Sequence, residues 1–505
     1  MTLPKAFDTV VQMLAAAEGD GAALVCEGSS LTYTEYVRCV GGFAAELKDL
    51  GIQGERLALV CANSIHMAIA TFAGHAAGAQ VVPINPIYTE RELRIVLADA
   101  EPIAIVHDAG AAALVEPIAA ELGNAHRIAV GDGGRNLDAW RDDASARLPG
   151  TLPAPGDLAT LQYTGGTTGL PKGVDITHRQ LAVNISQREA AWPLAAEDER
   201  ILCVMPLFHV FASSVCLHPA VYCRGTMVIL PRFHPAAVLD AIETMRITRL
   251  PAGPTILHGL MAFDGFQDRD FSSLRSVYSG SAPLPEETLH QWQAITGCPV
   301  LEGFGQSEGG PVLTANWEGT DIVPGSVGKP LPETEIEIVD VETGTEILAV
   351  GAAGEVRAKG PQIMSGYRHR AEETKATLRG GWLYTGDIGE IDRHGNLYIR
   401  DRKKDMIITG GYNVYPREID EVLHGHPDVA EAAAVGVADD YRGEVIAAYV
   451  VLAGNGNADG EDLVSFCAQN LAKYKVPGRI EIVAELPKTT VGKIDKAALR
   501  AMAAA

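Results

Sequence analysis

No two cysteines in this chain are spaced as C-x-x-C, and no zinc-type spacing occurs. The eight present, at 26, 39, 61, 203, 216, 223, 298 and 467, are scattered as small buried hydrophobes are. A zinc module is disfavoured, and a reducing cytoplasm is the expected compartment. Long apolar runs are missing too. The most apolar stretch, near 68–82, is broken by His75 and Gln80 and is too short to span a bilayer. The first residues lack the basic-then-apolar pattern of a secretory signal, and the last carry no recognisable address. No internal repeat or low-complexity segment is present. Positive charge is in deficit, with 41 Lys and Arg against 64 Asp and Glu and a formal charge of -23. Such a surface repels nucleic acid and anionic membrane, so an anionic substrate would need a locally basic pocket. What the chain does have is 505 residues, 47% of them hydrophobic, enough for about three or four globular units.

Hydrophobic periodicity divides this length. Thr32-x-x-Glu35 has the spacing of a capping box. Val37, Val40, Phe43, Ala44 and Leu47 share one helical face after it, and Gly51 stops the helix. Residues 57–60 predict a short buried strand, and Ser64 caps a helix ending near Gly78. The strand signal returns at 81–82, 103–106 and 127–130, with helical stretches between. This alternation predicts a mostly parallel sheet covered on both faces. A second series through 227–230, 247–250 and 275–278 predicts another sheet packed on the first, within about 1–330. From about 331 to 401, short alternating strands with Gly and Asp turns predict a small antiparallel β-barrel or sheet. Asp401-Arg-Lys-Lys-Asp405 is a charged break. Beyond it, a helix begun at Pro416, strands near 429–436, 446–452 and 480–484, and helices near 461–472 and from 494 predict a compact α+β unit. The expected fold is α/β. A large N-terminal domain, 1–401, holds two packed βα sheets plus a small β-barrel; a small mobile α+β domain covers 402–505.

One stretch dominates the chemistry. Tyr163-Thr-Gly-Gly-Thr-Thr-Gly-Leu-Pro-Lys-Gly173 follows the predicted strand 159–162 and holds four glycines, three threonines and one lysine. Glycines let backbone N–H groups close on an anion, Thr164, Thr167 and Thr168 add hydroxyls, and Lys172 adds a full charge. This composition suits a polyphosphate cradle at the carboxyl end of a strand. It is not a Walker A loop, because Pro171 precedes the lysine and Gly173 follows it. A flexible surface loop is the plain alternative.

Other stretches are weaker singly. Pro206-Leu-Phe-His-Val-Phe211 puts His209 among aromatics, where a core histidine is the ordinary reading. Ser279-Gly-Ser-Ala-Pro-Leu284 follows a strand, and its small residues would admit a flat ring. Gly303-Phe-Gly-Gln-Ser-Glu308 offers an aromatic between glycines for stacking and a carboxylate for Mg2+. Tyr384-Thr-Gly-Asp387 offers an acceptor-only carboxylate suited to ribose hydroxyls, with Arg402 as a further donor, though a hairpin Asp looks the same. Gly410-Gly411 reads as a turn. In Pro487-Lys-Thr-Thr-Val-Gly-Lys493 the lysines read as solvated.

Taken together and in this order, these stretches resemble the adenylate-forming superfamily of acyl-CoA synthetases, peptide-synthetase adenylation domains and firefly-type luciferases. The resemblance covers about 30–500 and is closest to the acyl-CoA synthetase branch. Two positions depart from the common pattern: Ser307 stands where Thr is usual, and Asp401 where many members have Gly. The resemblance implies a two-step ligase using ATP, Mg2+ and coenzyme A. Thr164, Gly165, Gly166, Thr167, Thr168, Gly169 and Lys172 would hold the ATP phosphates, and Glu308 the metal. Gly280, Ser281, Phe304, Gly305 and Ser307 would line the adenine, with Asp387 and Arg402 on the ribose. Lys493, the catalytic lysine, would bridge the acid's carboxylate and the α-phosphate. His209 would gate the path between thiol and acyl carbon. Rotation about a hinge at Lys404 would then withdraw Lys493 and bring Gly410 and Gly411 to a pantetheine channel, with Tyr474 and Lys475 near the coenzyme A nucleotide.

The implied acyl pocket is His209, Val210, Phe211, Ser279, Gly280, Gly303, Gly305 and Gly309. The α-ammonium of an amino-acid substrate would need a buried carboxylate partner; the resemblance implies that adenylation domains supply it as an Asp in the stretch matching 208–213, which here holds no acid. An uncharged fatty or aromatic acid is therefore expected, with Arg232 the residue considered for a diacid but not placed in the pocket. The rival readings are transfer of the acyl group to a carrier protein and a catalytically silent ATP-binding or structural protein. Small-molecule partners are expected, without nucleic acid or a membrane span; the oligomeric state, homodimer included, stays open.

Overall fold

The computed structural model describes residues 4, 6–123, 126–164, 171–409, 412–439, 442–454, 456–489 and 493–504. Among them the strands form four sheets. The first, seven-stranded, runs in space through Gly366–Tyr367, Lys172–Thr177, Leu158–Thr164, Gln80–Pro83, Arg56–Val60, Ala104–Asp108 and His126–Val130. It is parallel from Leu158–Thr164 to His126–Val130 and antiparallel at its other edge. The second, nine-stranded, orders Lys329–Pro330, Val312–Ala315, Val300–Gly305, Ser276–Ser279, Arg249–Ala252, Arg200–Cys203, Thr226–Ile229, Ala22–Cys26 and Ser29–Thr32. The earliest hairpin thus joins the later sheet, Leu24 beside Met227, a crossing that periodicity does not reveal.

Local signals explain the helices between the sheets. Tyr33–Asp49 begins at the expected box, with Thr32 and Glu35 bonding reciprocally. Ile65–Ala77 is capped by Ser64 and closed by Gly78 in the left-handed region, φ 82°. This second helix touches strands of both sheets, and nearly all of it is buried. Gly74 lets it lie directly on the first sheet, since a Cβ there would be 2.7 Å from Val81 Cγ2. His178–Ala191 starts from a second box, Thr177 with Gln180.

The antiparallel unit expected from 331 is a five-stranded sheet of Glu335–Val339, Gly354–Lys359, Trp382–Ile391, Leu378–Arg379 and Leu397–Arg402. The C-terminal unit has its own five-stranded sheet: Tyr412–Val414, Ile407–Thr409, Gly443–Leu452, Val429–Asp439 and Arg479–Ile482. Pro416–His424, Gly460–Asn470 and Lys496–Ala504 are its helices. It has a core of its own, with Ile407, Ile419, Leu423, Ala434, Val450 and Leu463 buried together. The last helix starts later than expected because Ile494 is still extended, bridging Lys488. No helix among the described residues is long and apolar enough to cross a membrane.

Candidate active site

The glycine stretch joins two antiparallel strands. Leu158–Thr164 pairs with Lys172–Thr177, Thr164 directly opposite Lys172. The sequence marks the first strand and the later helix cap, but not the returning strand between them. The tip residues Gly165, Gly166, Thr167, Thr168 and Gly169 lie outside the described residues. At the base of the hairpin the ammonium of Lys172 stands 5.1 Å above the Tyr367 ring. The Tyr367 hydroxyl donates to Glu308 Oε1 at 2.8 Å, and burial together with that carboxylate raises the phenol's pKa. Tyr367 arrives from far along the chain because Gly366–Tyr367 pairs with Lys172–Thr177. Lys172, Tyr367 and Glu308 therefore form one cluster, and Tyr367 was invisible to motif reading.

The next wall comes from the second sheet. Ser276–Ser279 runs parallel to Val300–Gly305, Ser279 beside Glu302, so the loops after both strands leave the same sheet edge. Both need glycine. A Cβ on Gly280 would be 3.0 Å from Phe211 Cε2; one on Gly303 would be 3.0 Å from Trp192 Cη2; one on Gly305 would be 2.1 Å from the Pro311 carbonyl oxygen. Trp192 is fixed behind Gly303 by stacking on Tyr278, centroids 4.4 Å apart, and by donating to Asn316 O at 2.7 Å. Ser281 holds φ 70°, unusual for serine and of the kind that gathers at functional sites. Ser279 Oγ is buried without a partner among the described residues. Ser307 is buried beside Gly309 in a short 3-10 turn. Phe304 is partly exposed and packs on the apolar side chains of the 335–402 sheet.

The third wall is electrostatic. Asp387 is 3% exposed, and its Oδ1 forms an ion pair with Arg402 Nε at 2.9 Å. Its Oδ2 has no partner among the described residues, so one acceptor remains for a ligand. Burial pushes the carboxyl up to about 6, with Arg402 and Lys493 opposing the rise and Glu308 adding to it. Asp387 lies within the strand Trp382–Ile391, where Gly386 takes φ 72° and turns the chain locally. Register places Asp387 opposite Arg402, which is why two residues fifteen apart in sequence meet.

Lys493 is close enough to this pair for their charges to act on it. Burial and Arg402 lower its pKa, and Asp387 works the other way. Its loop is held by two hydrogen bonds: Thr489 N–H donates to Lys493 O at 2.7 Å, and Lys493 N–H donates to Thr489 Oγ1 at 3.2 Å. Lys493 also acts on His209, whose pKa falls to about 3, mainly through burial. His209 is therefore neutral at ordinary pH, with Nδ1 accepting from Phe211 N–H at 3.2 Å as the cap of the next helix. The stretch before it is held by Asn63, which donates to Met205 O at 3.0 Å and accepts from Leu207 N–H at 2.7 Å. Gln162 Nε2 adds a bond to Phe208 O at 3.2 Å, tying the phosphate-side strand to this one. Asn63 carries no sequence signal beyond being polar in apolar surroundings.

Phe211, Gly280 and Gly303 converge, Phe211 packing against Gly280. Elsewhere in the C-terminal unit, Tyr474 stacks on Tyr412 at 4.5 Å, and Lys475 pairs with Glu418. Gly410 and Gly411 lie outside the described residues. Arg232 is exposed. Among the described residues no group of three or more His, Cys, Asp or Glu is clustered as a metal site.

Comparison with known proteins follows the same outline. Residues 11–368 match the family model of the AMP-binding enzyme, and residues 418–493 that of the AMP-binding enzyme C-terminal domain. A long-chain-fatty-acid–CoA ligase of Bacillus subtilis is 37% identical, over 97% of this chain and 93% of its own. A feruloyl-CoA synthase of an Amycolatopsis species is 36% identical over 94% of each chain. The ATP-bound structure of MatB from Rhodopseudomonas palustris superposes with a TM-score of 0.90 at 33% identity, covering 98% of each chain; the apo form of the same protein gives 0.82.

Proposed function

The chain belongs to the AMP-binding enzyme family, in its acyl-CoA synthetase branch, and on that premise we propose that it is an AMP-forming carboxylic acid–CoA ligase acting in two steps at one cleft. In the first step an acid's carboxylate attacks the α-phosphorus of ATP and pyrophosphate leaves. In the second, the thiol of coenzyme A attacks the acyl-adenylate carbonyl, and AMP leaves. The observation that carries this reading is the approach of Lys493 to Asp387, Arg402 and His209. A lysine from the end of the chain is there near enough for its charge to act on both the ribose-side carboxylate and the acyl-side histidine.

The roles follow from chemistry. Two anions meet in the first step, and their repulsion in a partly desolvated cleft is several kcal/mol. A cation between them relieves it and stabilises charge on the transition state. Lys493 fits that place, while Lys172 and the glycine hairpin fit the β and γ phosphates. The free Oδ2 of Asp387 fits a ribose hydroxyl. Gly280, Gly303 and Gly305, each closely backed by protein atoms on its Cβ side, fit a wall along which a flat ring would lie. Glu308, partly exposed and bonded to Tyr367, would hold Mg2+ through a carboxylate oxygen, and the ion would neutralise phosphate charge.

His209, being neutral, adds no positive charge beside the acyl carbon and leaves the path open to a thiol. For the second step Lys493 must withdraw. A rotation of residues 402–505 about Lys404 provides this. Lys404 is exposed in the turn after Leu397–Arg402, and the C-terminal unit has a separate core. The higher likeness to ATP-bound than to apo MatB supports reading the present arrangement as that of the first step. The test is acid-dependent ATP–pyrophosphate exchange over a panel of acids, followed by AMP release with coenzyme A. No exchange with any acid rejects the reading, and a thioester formed on a carrier protein but not on free coenzyme A replaces it.

A further inference from the structure

Arg188 is a buried guanidinium with no acceptor among the described residues. It lies on the helix His178–Ala191, its side chain is 1% exposed, and Nε, Nη1 and Nη2 all lack an acceptor among the described residues. The nearest opposite charge, Glu189 Oε2, is 3.7 Å from Nη2, too far for a hydrogen bond. Glu189 commits its other oxygen to Leu194 N–H at 2.7 Å. The charge is thus balanced, while the five N–H donors of the guanidinium go unmet. Unmet buried donors carry a desolvation cost, and such groups in a native fold call for a missing partner.

The guanidinium lines a cavity of about 10 Å³ together with Val210, Ser213, Ser214, His218 and Gly310. Val210 belongs to the proposed acyl wall, and Gly310 adjoins Gly309 of the same wall, so the cavity borders that wall. His218 Nε2 is also without a partner. Ser213–Leu217 is a π-helical turn, a widening often found at functional sites.

We propose that Arg188 recognises an uncharged oxygen acceptor (a carbonyl, hydroxyl or ether) on the tail of the acid, so that the substrates are oxygenated carboxylic acids rather than plain hydrocarbon ones. This rests on the acid–CoA ligase reading. The partner must be an acceptor because a guanidinium only donates. It is neutral because Glu189 already balances the charge and would repel a second carboxylate. It is small because the cavity holds about one water, which the tail oxygen would replace. His218 Nε2 is placed to complete the contact.

The experiment measures AMP release, with coenzyme A present, for matched acids. Plain alkanoic and aryl acids are compared with analogues bearing a hydroxyl, oxo or methoxy group at successive positions, and with dicarboxylic acids of equal length. The best oxygenated analogue should exceed its hydrocarbon parent in kcat/KM by about tenfold or more, the worth of one charged hydrogen bond. Arg188→Met should bring that ratio towards one; if this variant does not fold, the wild-type ratios alone decide. Hydrocarbon acids preferred or treated alike, a preference that survives Arg188→Met, or dicarboxylic acids used best would each overturn the proposal. Silence with every acid would instead remove the ligase reading, and the inference with it.

Discussion

Lys493 and Asp387 carry the charge relations on which the cleft depends, and each leads to a distinct measurement. In the proposed first step Lys493 stands between two anions, and alanine there removes the cation. Acid-dependent ATP–pyrophosphate exchange should fall by about 100-fold or more, while thioester formation from supplied acyl-adenylate changes by only a few-fold. Equal loss in both half-reactions would place the lysine elsewhere. Asp387 carries a stability consequence as well. Burial gives it a folded pKa of about 6, against roughly 3.9 unfolded. The folded chain therefore holds a proton that the unfolded chain has lost between those values. The stabilisation from that proton is complete below about pH 4 and lost as pH rises through about 6. Asparagine cannot ionise, so Asp387→Asn should melt higher than wild type at pH 7, by an amount on the order of 1–3 kcal/mol. It should at the same time bind ATP more weakly. Calorimetry and ATP titration check the two halves, and a lower melting temperature at pH 7 would contradict the first.

At the scale of elements, the site is made by strands that deliver loops to one edge and by glycines that let those loops close. Val300–Gly305 ends at Gly305, where a Cβ would be 2.1 Å from the Pro311 carbonyl oxygen. That oxygen also accepts Gln306 N–H at 3.0 Å. Gly305→Ala must push these segments apart, at a cost of about 1–3 kcal/mol, and shift Phe304 with them. A lower melting temperature and a raised KM for ATP are expected. Gly150, with nothing within 4 Å of a Cβ, is the control and should accept alanine with little change. Much of this level was readable. The capping boxes at Thr32 and Thr177, the cap at Ser64 and the stop at Gly78 are local rules, obeyed where the sequence states them. The strand Lys172–Thr177 was not, because Gly and Pro at its start mask a pairing that exists only when Leu158–Thr164 lies alongside.

For the molecule as a whole, the question is where one unit ends and the other begins. Arg402, Lys403 and Lys404 are consecutive, and Arg402 and Lys404 are exposed. The unit beyond them closes its own core. Limited trypsin should cut native protein first within 402–404, leaving two resistant fragments, and saturating ATP should slow the cut because Asp387 and Arg402 would then hold ribose. Mass spectrometry of the early fragments checks this. First cleavage deep inside either fragment would move the boundary.

The sequence by itself determined the chemistry on offer and its order along the chain. A glycine-rich stretch with one lysine, small residues after strands, a carboxylate at 387 and a lysine at 493 are readable because each depends on residue types a few positions apart. It also set the helix ends, which are local hydrogen-bond problems. Only the tertiary structure decided which of these groups meet. Pairing across sheets put Asp387 opposite Arg402 and Tyr367 under Lys172, and burial then raised the proton affinities of Asp387 and Tyr367. Arg188 belongs to the same class. On paper it is one more charge on a helix; in the fold it is sealed from water without an acceptor, because desolvation depends on everything packed around a side chain and not on its neighbours in sequence.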